Sequence, residues 1–232
     1  MNKTRLFIIG GVSILFIAGV AQFLFPHTAV SPAPSGAVSQ PQAVELNTPA
    51  SLEVKAVSVT PANRPAQASF AIAQGDTIVS WDFKGVYTDN PELVAKAQTE
   101  IKRLSSQLAT ATSSAMILSV GIANQYELLG KGKEQYDYLG RAIQASPENG
   151  LPWHNLGVLM ERLGAFQTAR RAYEQSTIVQ PEFPLYHYAY LEFLIGNMKN
   201  DTVSIEKAFA AAEKNIGTRQ YLIDLRAKWQ TS

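Results

Sequence analysis

The stretch GLPWHNLGVLMERLGAFQTARRAYEQSTIVQPEF, Gly150 to Phe183, decides the fold. It divides into two helices at Gly164, a residue that ends a helix by tolerating left-handed backbone. Pro181 prevents the second helix from continuing. Gly157 on the first helix and Ala169 on the second are small enough to let two antiparallel helices cross closely. Trp153 and Tyr173 are large enough to fill the space between the helices and toward a neighbouring unit.

The pattern recurs at an offset of 34 residues: Leu129-Gly130 matches Leu163-Gly164, Pro147-Glu148 matches Pro181-Glu182, and Leu151 matches Leu185. Recurrence at that period is the mark of stacked helix pairs, in which each pair buries its apolar face on the next.

Gly150 to Phe183 resembles the tetratricopeptide repeat family. Trp153, Leu156, Gly157 and Met160 stand where that family has its W-x2-L-G-x2-Y run. Ala169, Tyr173, Ser176 and Pro181 stand at its small, aromatic, small and closing-proline positions. In the preceding unit, Met116 to Asn149, the matches are Ile122, Ala123, Tyr126, Gly130, Ala142 and Pro147. Gln135 there replaces a small residue, and Ser119 replaces Trp. A degenerate third unit runs from Pro184 to about Lys214. Tyr190 and Leu191 suit its first helix, Gly196 arrives two residues early, and Ala208 to Ala212 supplies small residues. The resemblance covers roughly Ala115 to Asn215. It implies an all-α fold, a right-handed superhelical stack of helix hairpins, over residues 112–232.

Such a stack needs covered ends. Tyr221, Leu222, Leu225 and Trp229 recur at helical spacing within Thr218 to Gln230 and predict a C-terminal covering helix. Residues 68–111 predict a short β segment and an N-terminal capping helix. Asn90-Pro91-Glu92 is a helix start, with Asn as cap and Pro at the first position. Val94, Ala97, Ile101, Leu104 and Leu108 then form the seam of that helix. Before it, Val79, Trp81 and Phe83 alternate with Ser80 and Asp82, predicting a strand over Asp76–Phe83. Phe70 to Ala73, joined through Gln74-Gly75-Asp76, is its candidate hairpin partner. An isolated hairpin is marginal in water, so this one is expected to lie against the helices.

The N-terminus carries a different signal. Leu6 to Phe25 is uncharged and, as a helix, spans roughly 30 Å, the thickness of a bilayer core. Lys3 and Arg5 precede it, and the next charged residue is Glu45. The positive-inside rule keeps the N-terminus cytoplasmic and exports the rest. Residues 1–25 are therefore expected to be a single-pass membrane anchor, with the C-terminal domain periplasmic or extracellular. A cleaved signal peptide ending near Gly19-Val20-Ala21 is the alternative, and it leaves the domain on the same side. Residues 26–67 hold seven of the twelve prolines and predict a flexible Pro/Ala/Ser-rich linker.

Composition excludes much chemistry. With no cysteine there is no disulfide, thiolate metal site or thiol nucleophile. Beyond residue 67 the chain carries 16 Lys+Arg against 17 Asp+Glu, so no nucleic-acid partner is expected. The three histidines are His27, His154 and His187. The last two, near Glu161 and Glu192, make a poor metal constellation without a third fixed ligand. Asp82 and Asp89 are expected to be solvated or capping, and Asn200-Asp201-Thr202, which matches an N-glycosylation acceptor, to be a helix-start turn before Val203. No cofactor, metal or catalytic residue is predicted.

The family resemblance implies that the first helix of each pair lines a concave groove that binds a peptide or helix. The groove positions are Val120, Asn124 and Glu127, then Leu151, His154, Val158, Glu161 and Arg162, then Tyr188 and Glu192. Asn124, Glu127, His154, Val158, Glu161, Arg162, Tyr188 and Glu192 are the candidate partner-binding residues. Some relatives hold a partner's terminal carboxylate with Lys and Asn; Asn124 matches, but Val120 stands where that Lys is expected. The mixture of apolar and acidic groups suits an apolar or mildly basic protein segment. The expected function is a non-catalytic, membrane-tethered interaction scaffold of the cell envelope. The alternative is an envelope enzyme or small-ligand-binding protein whose site has no recognisable motif.

Overall fold

The computed structural model describes residues 70–231. The predicted anchor at 1–25, the linker at 26–67 and residues 68–69 lie outside the described residues. No helix among the described residues is long and apolar enough to cross a membrane.

The described residues form eight helices: α1 (Pro91–Leu108), α2 (Ala115–Leu128), α3 (Gly132–Ala145), α4 (Gly150–Arg162), α5 (Phe166–Val179), α6 (Pro184–Asn197), α7 (Thr202–Ile216) and α8 (Gln220–Gln230). The most extensive packing is within two hairpins, α2 with α3 and α4 with α5. The hairpins then join in chain order, α3 on α4 and α5 on α6, with α6 packed on α7. At the ends, α1 lies on α2 and α8 on α6.

The repeat is visible in the backbone hydrogen bonds. At the end of α2, Gly130 donates to the Glu127 carbonyl at 3.0 Å and Lys131 to Tyr126 at 2.9 Å. At the end of α4, Gly164 donates to Glu161 at 3.0 Å and Ala165 to Met160 at 2.9 Å. Gly130 and Gly164 have φ of 72° and 76°, the left-handed conformation this closure requires. The second helices end alike: Ser146 donates to Ala142, and Gln180 to Ser176. The third hairpin departs from the pattern. Gly196 lies inside α6, and the turn is made by Met198 to Asn200 without a left-handed glycine. Gly196, two residues early for a closing glycine, is therefore not one.

The core is continuous through the hairpins, with Leu139, Leu156, Leu159, Met160, Phe193, Leu194 and Phe209 fully buried. Volumes are complementary across the crossings of the first two hairpins. Gly157 faces the ring of Tyr173, and in the previous hairpin Ala123 and Leu139 hold the same positions. Gln135 is buried where a small residue was expected.

The ends match expectation. Asn90 caps α1, accepting from the amides of Glu92 and Leu93 at 3.1 and 3.2 Å. Asp201 caps α7 through the Ser204 amide at 3.1 Å, making Asn200-Asp201-Thr202 a helix start. On α8, Leu222 and Leu225 are buried, and Trp229 stacks on Phe209 of α7 at 6.0 Å.

The expected strand and hairpin are corrected. No strand occurs among the described residues; one isolated antiparallel bridge pairs Asp82 with Lys131. The alternation also fails as a face, because Val79 is 96% exposed whereas Trp81 and Phe83 pack against the core. A strand needs another strand to take its ladder bonds. Here the partners of the extended segment 70–88 are helix ends. Phe83 donates to the Gly130 carbonyl, Tyr87 to Leu128, and Gly132 donates back to Trp81. The segment does lie against the helices, as a strap rather than a hairpin.

Candidate binding face

The first helices α2, α4 and α6 carry the predicted groove positions, and cross-helix contacts tie them into one row. Asn155 of α4 donates to Asn124 of α2 at 3.4 Å. Arg162 of α4 pairs with Glu127 of α2 at 3.1 Å. Asn197 of α6 donates to Glu161 of α4 at 2.8 Å. The row continues onto the covering helix, where the ring of Tyr221 of α8 meets that of Tyr188 of α6 at a tilt, with centroids 4.6 Å apart, and the Tyr221 hydroxyl donates to Glu192.

These contacts divide the acidic residues into two kinds. Glu127 is neutralised by Arg162, whose guanidinium also lies over the Phe83 ring at 4.7 Å. Glu161 and Glu192 are held instead by neutral donors, and neither is ion-paired with a lysine or arginine among the described residues. Glu161 accepts from Asn197 and, at 2.8 Å, from the Tyr173 hydroxyl. Burial, reinforced by the nearby Glu161 carboxylate, raises the Tyr173 pKa and keeps it a donor. Burial raises the Tyr221 hydroxyl as well, with Glu192 adding to the effect.

His154 lies between the rings of Tyr173 and Tyr186, with centroids 5.8 and 5.6 Å away. Its Nδ1 is buried without a hydrogen-bond partner, and burial pushes the imidazole down to about 4. It is a half-buried, ring-packed histidine at the predicted groove position. Val158 and Tyr188 are half-buried at the margin of the core. His187 is buried, with Nε2 2.8 Å from the Pro181 carbonyl oxygen. Among the described residues no three potential ligands gather into a metal site. Asp82 and Asp89 do not form an acid/base pair, since each is ion-paired with a lysine, Lys131 and Lys84.

Three members of the row were not among the predicted positions: Asn155, Asn197 and Tyr221. Asn155 lies four residues after the predicted position Leu151, so helical geometry alone could have included it. Tyr221 had been assigned wholly to the covering seam, and no local signal tells which side of that helix meets Tyr188.

No protein-family model matches this sequence, and no curated protein matches it either.

Proposed function

We propose that this chain is a membrane-tethered, non-catalytic scaffold of the cell envelope whose hairpins are tetratricopeptide-type units. In this reading the units stack as a right-handed superhelix, and the row of first helices is the concave surface that holds a protein partner. Leu6–Phe25 anchors it with the N-terminus in the cytoplasm and the repeats outside. The observation that carries the reading is the tied row Asn124–Asn155, Glu127–Arg162, Glu161–Asn197 and Tyr188–Tyr221. It makes one face out of helices that are distant in sequence. Val158 and Tyr188 give that face an apolar floor, and the Glu161 and Glu192 carboxylates beside it favour a partner segment that is apolar or mildly basic.

The test is a photo-crosslinking residue placed in the full chain at Val158, with a control at exposed Ile178 on α5. The expected result is one stoichiometric protein adduct from position 158 and none from 178. Equal adducts from both positions, or none from 158, would sink the groove. Protease added to intact spheroplasts should also digest the repeats; their protection behind a sealed membrane would defeat the exported topology.

A further inference from the structure

Glu127 and Glu161 occupy equivalent places, 34 residues apart and each next to last in its first helix, α2 and α4. Their partners differ. Glu127 is closed by an arginine of the following unit, Arg162, at 3.1 Å, and that guanidinium lies over the Phe83 ring at 4.7 Å. The residue equivalent to Arg162 one unit later, again 34 residues on, is Gly196 of α6. It brings no side chain to Glu161. Gly196 is exposed, and nothing lies within 4 Å of a Cβ built on it. Its neighbour Asn197 donates to Glu161 at 2.8 Å, so this end of α6 does lie beside that carboxylate. The chain makes the carboxylate–guanidinium pair once and leaves the arginine out the second time.

Glu161 is nevertheless fixed in place. The Tyr173 hydroxyl donates to its Oε2 and Asn197 to its Oε1, both neutral donors at 2.8 Å. A carboxylate offers about four lone-pair sites, so a further donor can be accepted. Glu192 adds to the same field. Burial is the main cause that keeps the proton on Tyr173, and Glu161 and then Glu192 push the same way, against Arg162. Arg162 itself is committed to Glu127 and Phe83. One turn before Glu161 on α4, half-buried Val158 offers apolar contact.

We propose that Glu161 and the open place beside Gly196 form a subsite for one arginine side chain of an extended partner segment, with an apolar neighbour of that arginine lying on Val158. The partner supplies to Glu161 what Arg162 supplies to Glu127. Arginine fits better than lysine, because its planar fork gives a carboxylate two parallel bonds where an ammonium is a point charge. The subsite rests on the reading that the first-helix row holds a protein partner, and it places the basic residue of that partner at the α4–α6 end.

The probe is a fluorescently labelled acetyl-Ala-Leu-Arg-Leu-Ala-amide peptide, titrated by anisotropy against the full chain in detergent, with Lys, Gln or Glu in place of its Arg in three companions. The Arg peptide should bind about fivefold tighter than the Gln peptide, the upper end for an exposed ion pair, with Lys between them and Glu weakest. Glu161→Gln, which keeps an acceptor oxygen for Tyr173, should abolish that preference. Gly196→Arg should abolish it too, by supplying the missing arginine from within, whereas Gly196→Ala should leave it unchanged. Arg and Gln peptides bound alike by the wild type overturn the subsite, and so does an arginine preference that survives either Glu161→Gln or Gly196→Arg. If one of these variants does not fold, the wild-type series and the other variant decide. Crosslinking from Val158 reports on the groove separately. Adducts there without an arginine preference remove the subsite and leave the groove. A preference lost with Glu161→Gln, but no adduct from position 158, keeps the subsite and removes the groove around it.

Discussion

A methyl group at Gly157 would lie 2.7 Å from the Tyr173 ring, so glycine there is the complement of a large neighbour. Gly157→Ala should cost about 1–3 kcal/mol through overpacking, and Gly157→Leu at least as much. Ala123 and Leu139 solve the same crossing one repeat earlier, both fully buried. Adding Tyr173→Leu to Gly157→Ala should therefore recover part of the loss, even though the bond to Glu161 goes. Urea denaturation of the two single variants and the double variant measures the coupling; strictly additive losses would show that the two positions do not share one space. His154 makes a second residue-scale prediction. Its folded pKa, pushed down to about 4 by burial, lies below the unfolded value of about 6.5. Above that unfolded value both states are neutral and stability is complete. As the pH falls through the interval the unfolded chain takes up a proton that the folded chain refuses, and stability drops. Between pH 7 and pH 5 the loss should be about 2 kcal/mol from this group. His187, lowered by burial against the opposing effect of its bond to the Pro181 carbonyl, adds in the same direction. His154→Phe, which keeps a ring between Tyr173 and Tyr186, should flatten the profile. A variant that loses as much stability as the wild type between those pH values would disprove the assignment.

Gly130 and Gly164 close equivalent helices in the same left-handed conformation, yet their surroundings differ. Nothing lies within 4 Å of an added Cβ at Gly164, whereas at Gly130 it would overlap the Phe83 carbonyl oxygen of the strap. Gly164→Ala should cost only the backbone term, about 1–2 kcal/mol. Gly130→Ala should cost more and should release the strap, seen as faster exchange at Phe83 and Tyr87. Equal costs with the strap still protected would contradict the packing described here. The contrast also marks what was legible in the sequence. The hairpins and their ends were, because Gly164, Pro181, Asn90 and the spacing of Leu222 and Leu225 act within a turn or two of themselves. The strap was not. Asp76 works on Thr168 and Phe70 on Trp153, and neither separation leaves a local periodicity. Alternation of Val79, Trp81 and Phe83 imitated a strand, but only two of the three had a core to meet. One local clue was present: Lys131 and Ala165 stand where a helix wants Ser, Thr, Asp or Asn. At these two helices the acceptor is supplied from elsewhere in the chain, by the Trp81 carbonyl and the Asp76 carboxylate.

Across the whole molecule the same reasoning separates the face from its details. That α2, α4 and α6 are equivalent helices was legible from the 34-residue offset; the residues that tie them together were legible only in part, since Asn155, Asn197 and Tyr221 were not among the predicted positions. The pairing of Glu127 with Arg162 and the enclosure of His154 were not, since both depend on which rotamers a neighbouring helix permits. The C-terminal end brings the row and the core together. Leu222 is 1% exposed, Trp229 covers Phe209, and Arg226 lies over the same ring at 4.2 Å while pairing with Glu206 and Glu213. On the other side Tyr221 holds Tyr188 and Glu192. Helix α8 is thus both the lid of the core and the last member of the row. A chain ending at Gly217 loses the burial of two leucines, about 1.5–3 kcal/mol each, and leaves Phe209 without its Trp229 cover. It should melt lower, and it should self-associate as concentration rises, because a repeat stack without its cover presents an apolar end to the next molecule. Sedimentation of the two chains in the same detergent over a hundredfold concentration range measures this. Leu222→Ala in the full chain separates the two losses. It should lower stability by about 2–5 kcal/mol yet remain monomeric, since Trp229 and Tyr221 still cover the end. A shortened chain that stays monomeric and melts with the full one would mean that α8 is an appendage, and the end of the stack would have to be sought within α7.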